Sequence, residues 1–267
     1  MKYLNFCILI FILNTALFGQ ERTDAQPVGG KQQLNYFIEQ ELIYPPEMYE
    51  KKIEGTVSFL FDLDESGKVV AINKVNSPHS AALEETLRIF RLVEWIPANT
   101  GGIKIKDTKQ FEIDFNIRKY NRICKIRGYT QIVNPFEPVD SSLKVYWYRN
   151  LDESPKPVFI DNKENLAGFI TKNLIYPEMA IKQNITGTVK LSFIVETNGR
   201  VSNIHIENSV GAGCNEEAIR LLRLLKWMPG IYDNKAVRTR TSLTINFSLD
   251  RGKDGIFNPV VKSSYGG

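Results

Sequence analysis

The pattern of hydrophobic and polar positions along the chain alternates first with the period of a β-strand and then with that of an α-helix. The clearest strand follows Gly187, where every second side chain is apolar up to Val195, and such alternation predicts a strand with one buried face. An Asn-Gly turn at residues 198–199 predicts a hairpin return. Apolar residues at helical spacing follow Asn215, which is a typical capping residue. Renewed alternation over residues 238–249 predicts a closing strand.

This whole pattern occurs twice, at a constant offset of 132 residues. Residues 31–117 align with residues 163–249 without a gap, and about 27 of the 87 positions are identical. The identities include turn and packing positions: Gly55/Gly187, Gly67/Gly199, Trp95/Trp227, Pro97/Pro229 and Phe115/Phe247. Each unit is predicted as helix, strand, strand, helix, strand. We therefore predict the α+β class, with two tandem two-layer domains, each a three-stranded antiparallel sheet covered on one face by two helices.

The chain is predicted to divide into five segments. These are a signal peptide (1–20), a first domain (27–118), an inter-repeat linker (119–156), a second domain (157–250) and a flexible tail (251–267). The linker is rich in both proline and aromatic residues, unlike a purely flexible linker, and residues 143–149 are a candidate strand. Because the tail is rich in Gly, Lys, Ser and Asp, we expect it to fray.

The first 20 residues have the character of a secretory signal. Lys2 precedes an apolar run from Leu4 to Phe18, and the small residue Gly19 follows; this order is typical of a cleavable signal peptide. The run is short for a membrane span, which needs about 20 residues. Cleavage would place the mature protein outside the cytoplasm, and an uncleaved N-terminal anchor is the alternative.

Composition and charge argue against several classes of function. The net charge is +4 and the pI about 8.8, with scattered cations instead of the dense basic runs of nucleic-acid-binding proteins. The two histidines, His79 and His205, occupy non-equivalent positions without a spaced Cys or His partner, so we expect no metal. Neither a glycine-rich phosphate loop nor a nucleophile turn is present in the sequence. We therefore expect no cofactor and no enzymatic activity.

Two further features have a structural explanation in preference to a catalytic one. The carboxylate pairs Glu84-Glu85 and Glu216-Glu217 are predicted in the first turn of a helix, where they stabilise its dipole. Cys214 is predicted as a small buried residue. A disulfide between Cys124 and Cys214 remains open, because an oxidising compartment would permit it.

The order of the motifs resembles the C-terminal domain of the TonB energy-transducer family. The motifs are Tyr-Pro, Ile-x-Gly-Thr-Val, Gly-Lys/Arg-Val, Asn-Ser, Trp-x-Pro and Ile-x-Phe. In the first copy they begin at Tyr44, Ile53, Gly67, Asn76, Trp95 and Ile113, and in the second copy at Tyr176, Ile185, Gly199, Asn208, Trp227 and Ile245. The resemblance covers about two thirds of the chain.

The resemblance implies a periplasmic domain that binds the TonB box, an extended segment of TonB-dependent outer-membrane transporters. The segment adds as a strand beside the last strand of the sheet. In the second copy the implied binding residues are Arg240, Thr241, Ser242, Leu243, Thr244, Ile245, Asn246 and Phe247. In the first copy they are Thr108, Gln110, Glu112 and Asp114. Tyr176 and Pro177 are a second, weaker candidate site.

The chain also departs from a complete transducer, because its prolines form no long arm and its N-terminus is a short apolar run. Three hypotheses therefore stay open: a periplasmic binding module, a structural protein whose sheet edges pair within the chain, in a homodimer or with another periplasmic partner, and a transducer anchored in the inner membrane and facing the periplasm. The alternative to peptide binding at the last strands is that they only complete a sheet, with edges guarded by Arg238, Arg240, Lys106 and Lys109.

Overall fold

The computed structural model of the protein describes residues 21–159, 161, 163–251 and 257–266. The expected signal peptide, with Cys7, lies outside these residues and stays a prediction. Within the described ranges, no helix is both long and apolar enough to span a bilayer.

Domain one contains the first copy of the repeat. Its helices are α1 (Gly30–Glu41), α2 (Pro46–Glu50), α3 (Ser80–Phe90) and α4 (Ile117–Arg127). Its strands are β1 (Arg22–Thr23), β2 (Gln26–Pro27), β3 (Gly55–Leu63), β4 (Val69–Asn76), β5 (Trp95–Ile96), β6 (Ala98–Thr100), β7 (Ile103–Ile105) and β8 (Asp107–Phe115). The main sheet has the order β4-β3-β8 and is antiparallel. Its apolar face, with Phe59, Phe61 and Phe111, packs against α1 and α3.

Domain two repeats this plan after a connecting segment that carries β9 (Val145–Trp147) and a 3₁₀ turn (Tyr148–Asn150). Its helices are α5 (Leu166–Asn173), α6 (Glu178–Lys182) and α7 (Cys214–Leu224). Its strands are β10 (Lys156–Val158), β11 (Gly187–Val195), β12 (Val201–Asn208), β13 (Lys226–Met228), β14 (Gly230–Tyr232), β15 (Lys235–Arg251) and β16 (Phe257–Tyr265). The order β12-β11-β15 reproduces the sheet of domain one. The predicted class and the two tandem two-layer domains are therefore confirmed.

The hairpin glycine of each copy is required by a close approach of the backbone. Gly199 has φ +77°, and a Cβ atom there would lie 2.2 Å from the carbonyl oxygen of Trp227. At Gly67 the corresponding distance, to the carbonyl oxygen of Trp95, is 2.3 Å. The turn of the hairpin thus packs directly on the backbone of the strand that follows the main helix, which explains why the glycine recurs in both copies.

The C-terminal segment differs from the expected frayed tail. β15 is 17 residues long, and its residues 243–251 pair with residues 257–265 of β16 in an antiparallel ladder. Composition alone predicted fraying, whereas a sheet edge offers unpaired backbone groups that a neighbouring segment can satisfy. The candidate strand in the connecting segment is present as β9, which pairs in parallel with residues 238–240 of β15.

Buried polar contacts hold the two domains together. Arg238 and Glu196 form a two-pronged ion pair with N–O distances of 2.7 and 2.9 Å, and the same guanidinium donates to the carbonyl of Leu92 in domain one. Arg240 lies 2.6 Å from both carboxylate oxygens of Glu94. Neither arginine therefore guards a free strand edge, because both bind groups at the domain interface.

Candidate functional site: the outer edge of the last strand

The last strand of domain one has one paired and one open edge. All nine residues of β8, from Asp107 to Phe115, pair with β3. Among the described residues, no segment pairs with the opposite edge, since the sheet order β4-β3-β8 ends there. At about 3.4 Å per residue, β8 offers roughly 30 Å of edge with unpaired N–H and C=O groups.

The edge stays open because the chain leaves β8 as a helix. The side chain of Asn116 accepts a hydrogen bond of 2.8 Å from the backbone N–H of Lys119 and so caps α4. Tyr120, Ile123 and Cys124 of α4 are buried, and Gly128 ends the helix in the left-handed conformation. The cap and the buried helix face together direct the chain away from the strand edge.

A groove of about 870 Å³ runs beside β8, between α1, α4 and the segment that contains β2. The strand borders it from Lys109 to Asp114, a length of roughly 20 Å. Its apolar lining includes Leu34 and Ile38 of α1, Leu42 directly after that helix, and Tyr120 and Ile123 of α4. An extended peptide in this groove would have backbone partners on one side and apolar surface for alternate side chains on the other.

Charges of both signs surround the groove. Lys31, Lys109 and Lys119 line it together with Glu39, Glu112 and Asp114. Lys109 binds Asp24 at 3.2 Å and, with Arg22, holds the pKa of the Asp24 carboxyl below its usual value. The groove therefore carries no single strong charge that would restrict it to acidic or to basic ligands.

The predicted residues of β8 lie on the solvent face of the sheet. Thr108, Gln110, Glu112 and Asp114 are all exposed and alternate with buried core residues from Phe111 onward. Thr108 donates to Asp62 at 2.6 Å, and Gln110 to Glu112 at 3.3 Å. These side chains flank a bound strand, whereas the backbone of β8 would hold it.

The sequence missed the lining that α4 contributes. Tyr120 and Ile123 fall within the predicted linker, where only the helical spacing of Tyr120, Ile123 and Cys124 before Gly128 signals a helix. The α1 residues lie in a helix that the repeat pattern predicts, but their role as a groove wall depends on tertiary packing.

In domain two both edges of β15 are occupied. Residues 239–247 pair with β11 along one edge. On the other edge, β9 pairs with residues 238–240 and β16 with residues 243–251. The backbone N–H of Gly266 also donates to the carbonyl of Ser242 at 3.0 Å. The last strand of the sheet therefore has an open edge in domain one, where it is β8, and a closed edge in domain two, where it is β15.

The predicted side chains of β15 mainly serve the domain itself. Leu243, Ile245 and Phe247 are fully buried in the core, and Thr241 and Ser242 are also buried. Thr244 is half-buried and Asn246 is exposed. Arg240, as described above, pairs with Glu94.

The Tyr-Pro motif supports the last strand from within the core. The hydroxyl of Tyr176 donates to the carbonyl of Ile185 at 2.9 Å, and its ring packs edge-on against Phe247. Pro177 packs where Gly213 leaves room, since a Cβ on that glycine would lie 2.9 Å from the proline ring. Tyr176 is buried, which leaves little of this motif accessible to a partner.

The carboxylate pairs contribute to the fold. Glu85 accepts from the N–H of Ile43 at 2.8 Å, and Glu217 accepts from the N–H of Ile175 at 2.7 Å. Glu216 and Glu217 lie in the first turn of α7 as expected, but α3 begins at Ser80, so Glu84 and Glu85 lie in its second turn. Each pair contains one residue that ties the preceding loop to the main helix.

Cys124 and Cys214 are both buried free thiols. Burial raises the pKa of the Cys214 thiol, which disfavours the reactive thiolate. In the part of the chain that the structure describes, no group of His, Cys, Asp and Glu has the arrangement of a metal site.

The family comparison agrees with the duplication. The model of the Gram-negative bacterial TonB protein C-terminal domain matches residues 40–117 and again residues 172–249, more than half of the chain. No curated protein and no solved structure matched in the corresponding comparisons.

Proposed function

Because the chain belongs to the TonB C-terminal domain family of the cell envelope, we propose that it is a non-enzymatic periplasmic binding protein. It takes the TonB box of an outer-membrane transporter as an added strand on β8, in the service of energised transport across the outer membrane. The single observation that supports this site is the unpaired outer edge of β8 beside its apolar groove.

The geometry favours one bound segment per chain. β8 and its groove are open, whereas β15 is paired on both edges. A strand of about six residues would form roughly four to six backbone hydrogen bonds, each with a net value of about 0.5–1.5 kcal/mol. After the cost of ordering the peptide, we expect a dissociation constant of about 10 µM to 1 mM. Such affinity suits a partner that has to be released.

A titration followed by amide NMR tests the proposal. The protein from Glu21 to Gly267 is titrated with synthetic peptides copied from TonB boxes of outer-membrane transporters. We expect saturable shifts along residues 109–114, with stoichiometry near one. A folded protein without shifts at millimolar peptide, or with shifts confined to residues 240–247, contradicts the assignment to β8.

The same sample tests the main alternative, self-association. If the β8 edges of two copies paired with each other, the apparent molecular mass would rise from that of a monomer to that of a dimer as the protein concentration increases. The peptide would then compete with dimer formation. Sedimentation without peptide therefore distinguishes a free edge, which gives a monomer, from an edge that is used between copies.

A further inference from the structure

The C-terminal strand β16 occupies, in domain two, the place of the open groove in domain one. At the offset of 132 residues, α5 corresponds to α1, and residues 243–247 of β15 correspond to residues 111–115 of β8. β16 lies beside β15 and packs against α5. Its last residue, Tyr265, packs edge-on against Trp227 at 5.8 Å. The counterpart of Trp227 is Trp95, which lines the groove of domain one.

We propose that domain two contains a second groove for an extended peptide, and that residues 257–265 of the same chain fill it as an intramolecular ligand. The site is latent: it becomes available to another peptide only when β16 leaves. The ligand class is an extended segment that pairs antiparallel with residues 243–251, as β16 does.

Domain one supplies the argument that β16 is an occupant and not a necessary part of the fold. The same three strands and the same covering helices form there, and none of the segments that the structure describes pairs with the equivalent edge. Ser264 and Tyr265, at the end of β16, are exposed. Domain one does contain the additional helix α4, whose Tyr120 and Cys124 join its core, but α4 does not pair with the edge of β8. The three strands therefore do not need a fourth, and domain two can release β16 at the cost of the contacts along one edge.

The attachment of β16 explains how the groove stays closed. Only residues 252–256 separate β15 from β16, and a short connection gives an effective concentration in the millimolar range. A free peptide that binds the empty groove with a dissociation constant of about 100 µM would then bind about tenfold more weakly while β16 is attached. The inference rests on the proposed function only for the identity of a peptide from another protein. The test does not need that identity, because it uses residues 257–266 of this chain as the probe.

The test uses the full chain from Glu21 with a protease site introduced within residues 252–256. After cleavage and removal of the released segment, a labelled peptide with the sequence of residues 257–266 is added, and its binding is followed by fluorescence anisotropy. We expect the cleaved protein to bind it at least about tenfold more tightly than the uncleaved protein, with NMR shifts along residues 243–251.

A cross-linked variant provides the matched control. Asn246 and Lys262 are register partners, and Cα separations of about 4.5–5.5 Å between such partners permit a disulfide. In Asn246→Cys/Lys262→Cys protein, cleavage should open the groove after reduction and leave it closed after oxidation. Native Cys124 and Cys214 are buried, which limits mispairing.

Two results would overturn the inference. In the first, the cleaved protein remains folded but takes up no peptide at β15. In the second, the NMR signals of domain two collapse when the tail leaves, which would make β16 an integral part of the domain. If transporter peptides fail to bind β8, only the proposed function is contradicted. Neither of the two results above depends on that binding.

Discussion

At the scale of single residues, the side chains that matter most hold the last strand in position. The hydroxyl of Tyr44 donates to the carbonyl of Ile53 at 2.7 Å and lies 3.3 Å from the carbonyl of Phe115, at the end of β8. Burial, assisted by Glu54 and Asp114, raises the pKa of Tyr44 to about 12. Tyr44 is thus a support for the strand whose outer edge is open.

Replacement of Tyr44 with Phe should destabilise the protein by about 1 kcal/mol at neutral pH, because one hydrogen bond is lost. The native state keeps the Tyr44 proton that the unfolded chain loses near pH 10, so native stability falls as pH rises from 10 to about 12. Urea unfolding across this range measures both effects.

The variant should show a shallower decline with pH than the native protein. Tyr49→Phe is the control, because Tyr49 is 41% exposed. An equal change of slope in both variants would contradict the role given to Tyr44.

Ile38 tests the groove wall. Ile38→Ser removes apolar surface next to β8 and should weaken peptide binding about fivefold, equivalent to about 1 kcal/mol. Ile126→Ser makes the same chemical change on α4 at a position that is 79% exposed and does not line the groove. Calorimetric titration should therefore show weaker binding only for Ile38→Ser, and equal affinities would exclude the groove as the binding site.

At the scale of secondary-structure elements, the two copies diverge immediately after their last strand. Asn116 caps a helix in domain one, whereas its counterpart, Ser248, lies within a strand that continues to Arg251. The same alternating pattern therefore ends in an open edge in one copy and in a closed hairpin in the other.

Amide hydrogen exchange should distinguish these two strands. In β8, about every second amide points to the open edge and should exchange rapidly, while the others are protected by β3. In β15, the amides of residues 243–247 should all be protected, because β11 pairs with one edge and β16 with the other. NMR-detected exchange measures each amide, with β3 and β11 as central strands for reference. Uniformly slow exchange along β8 would mean that its edge is covered in solution.

Periodicity and turn chemistry predicted the repeated sheet and its helices, because those signals are local. The hairpins at Gly67 and Gly199 and the alternation in β3 and β11 are examples. The role of β16 could not be predicted, because its composition matches that of a loose tail and its strand form depends on the edge of β15. For the same reason, the pattern could not show which copy has the open edge.

At the scale of the whole molecule, the domains are joined by charges that are buried at their interface. Arg238 is 5% exposed and Glu196 2% exposed, and the guanidinium also donates to Leu143 of the connecting segment at 3.0 Å. Arg223 of domain two stacks on Tyr36 of domain one, 3.7 Å from the ring centre. These contacts fix the position of the open groove beside β8 relative to the groove beside β15 that β16 fills.

Arg238→Met should reduce the free energy of unfolding by about 3–5 kcal/mol, because it leaves the Glu196 carboxylate buried without its partner. The double variant Arg238→Met/Glu196→Leu should recover much of this loss, since no unpaired charge remains. Chemical denaturation of the native protein and both variants measures the difference. A double variant as unstable as Arg238→Met would mean that the arginine acts mainly through Leu92 and Leu143.

The hairpin of β15 and β16 has a consequence for any longer array built from this unit. An internal unit has to pass the chain to its successor, and α4 does so while leaving the edge bare. A unit whose last strand continues into a hairpin, as β15 does with β16, closes its own edge. An array would therefore gain one accessible edge with each added unit of the first kind, while a unit of the second kind acts as a cap against edge-to-edge growth between molecules.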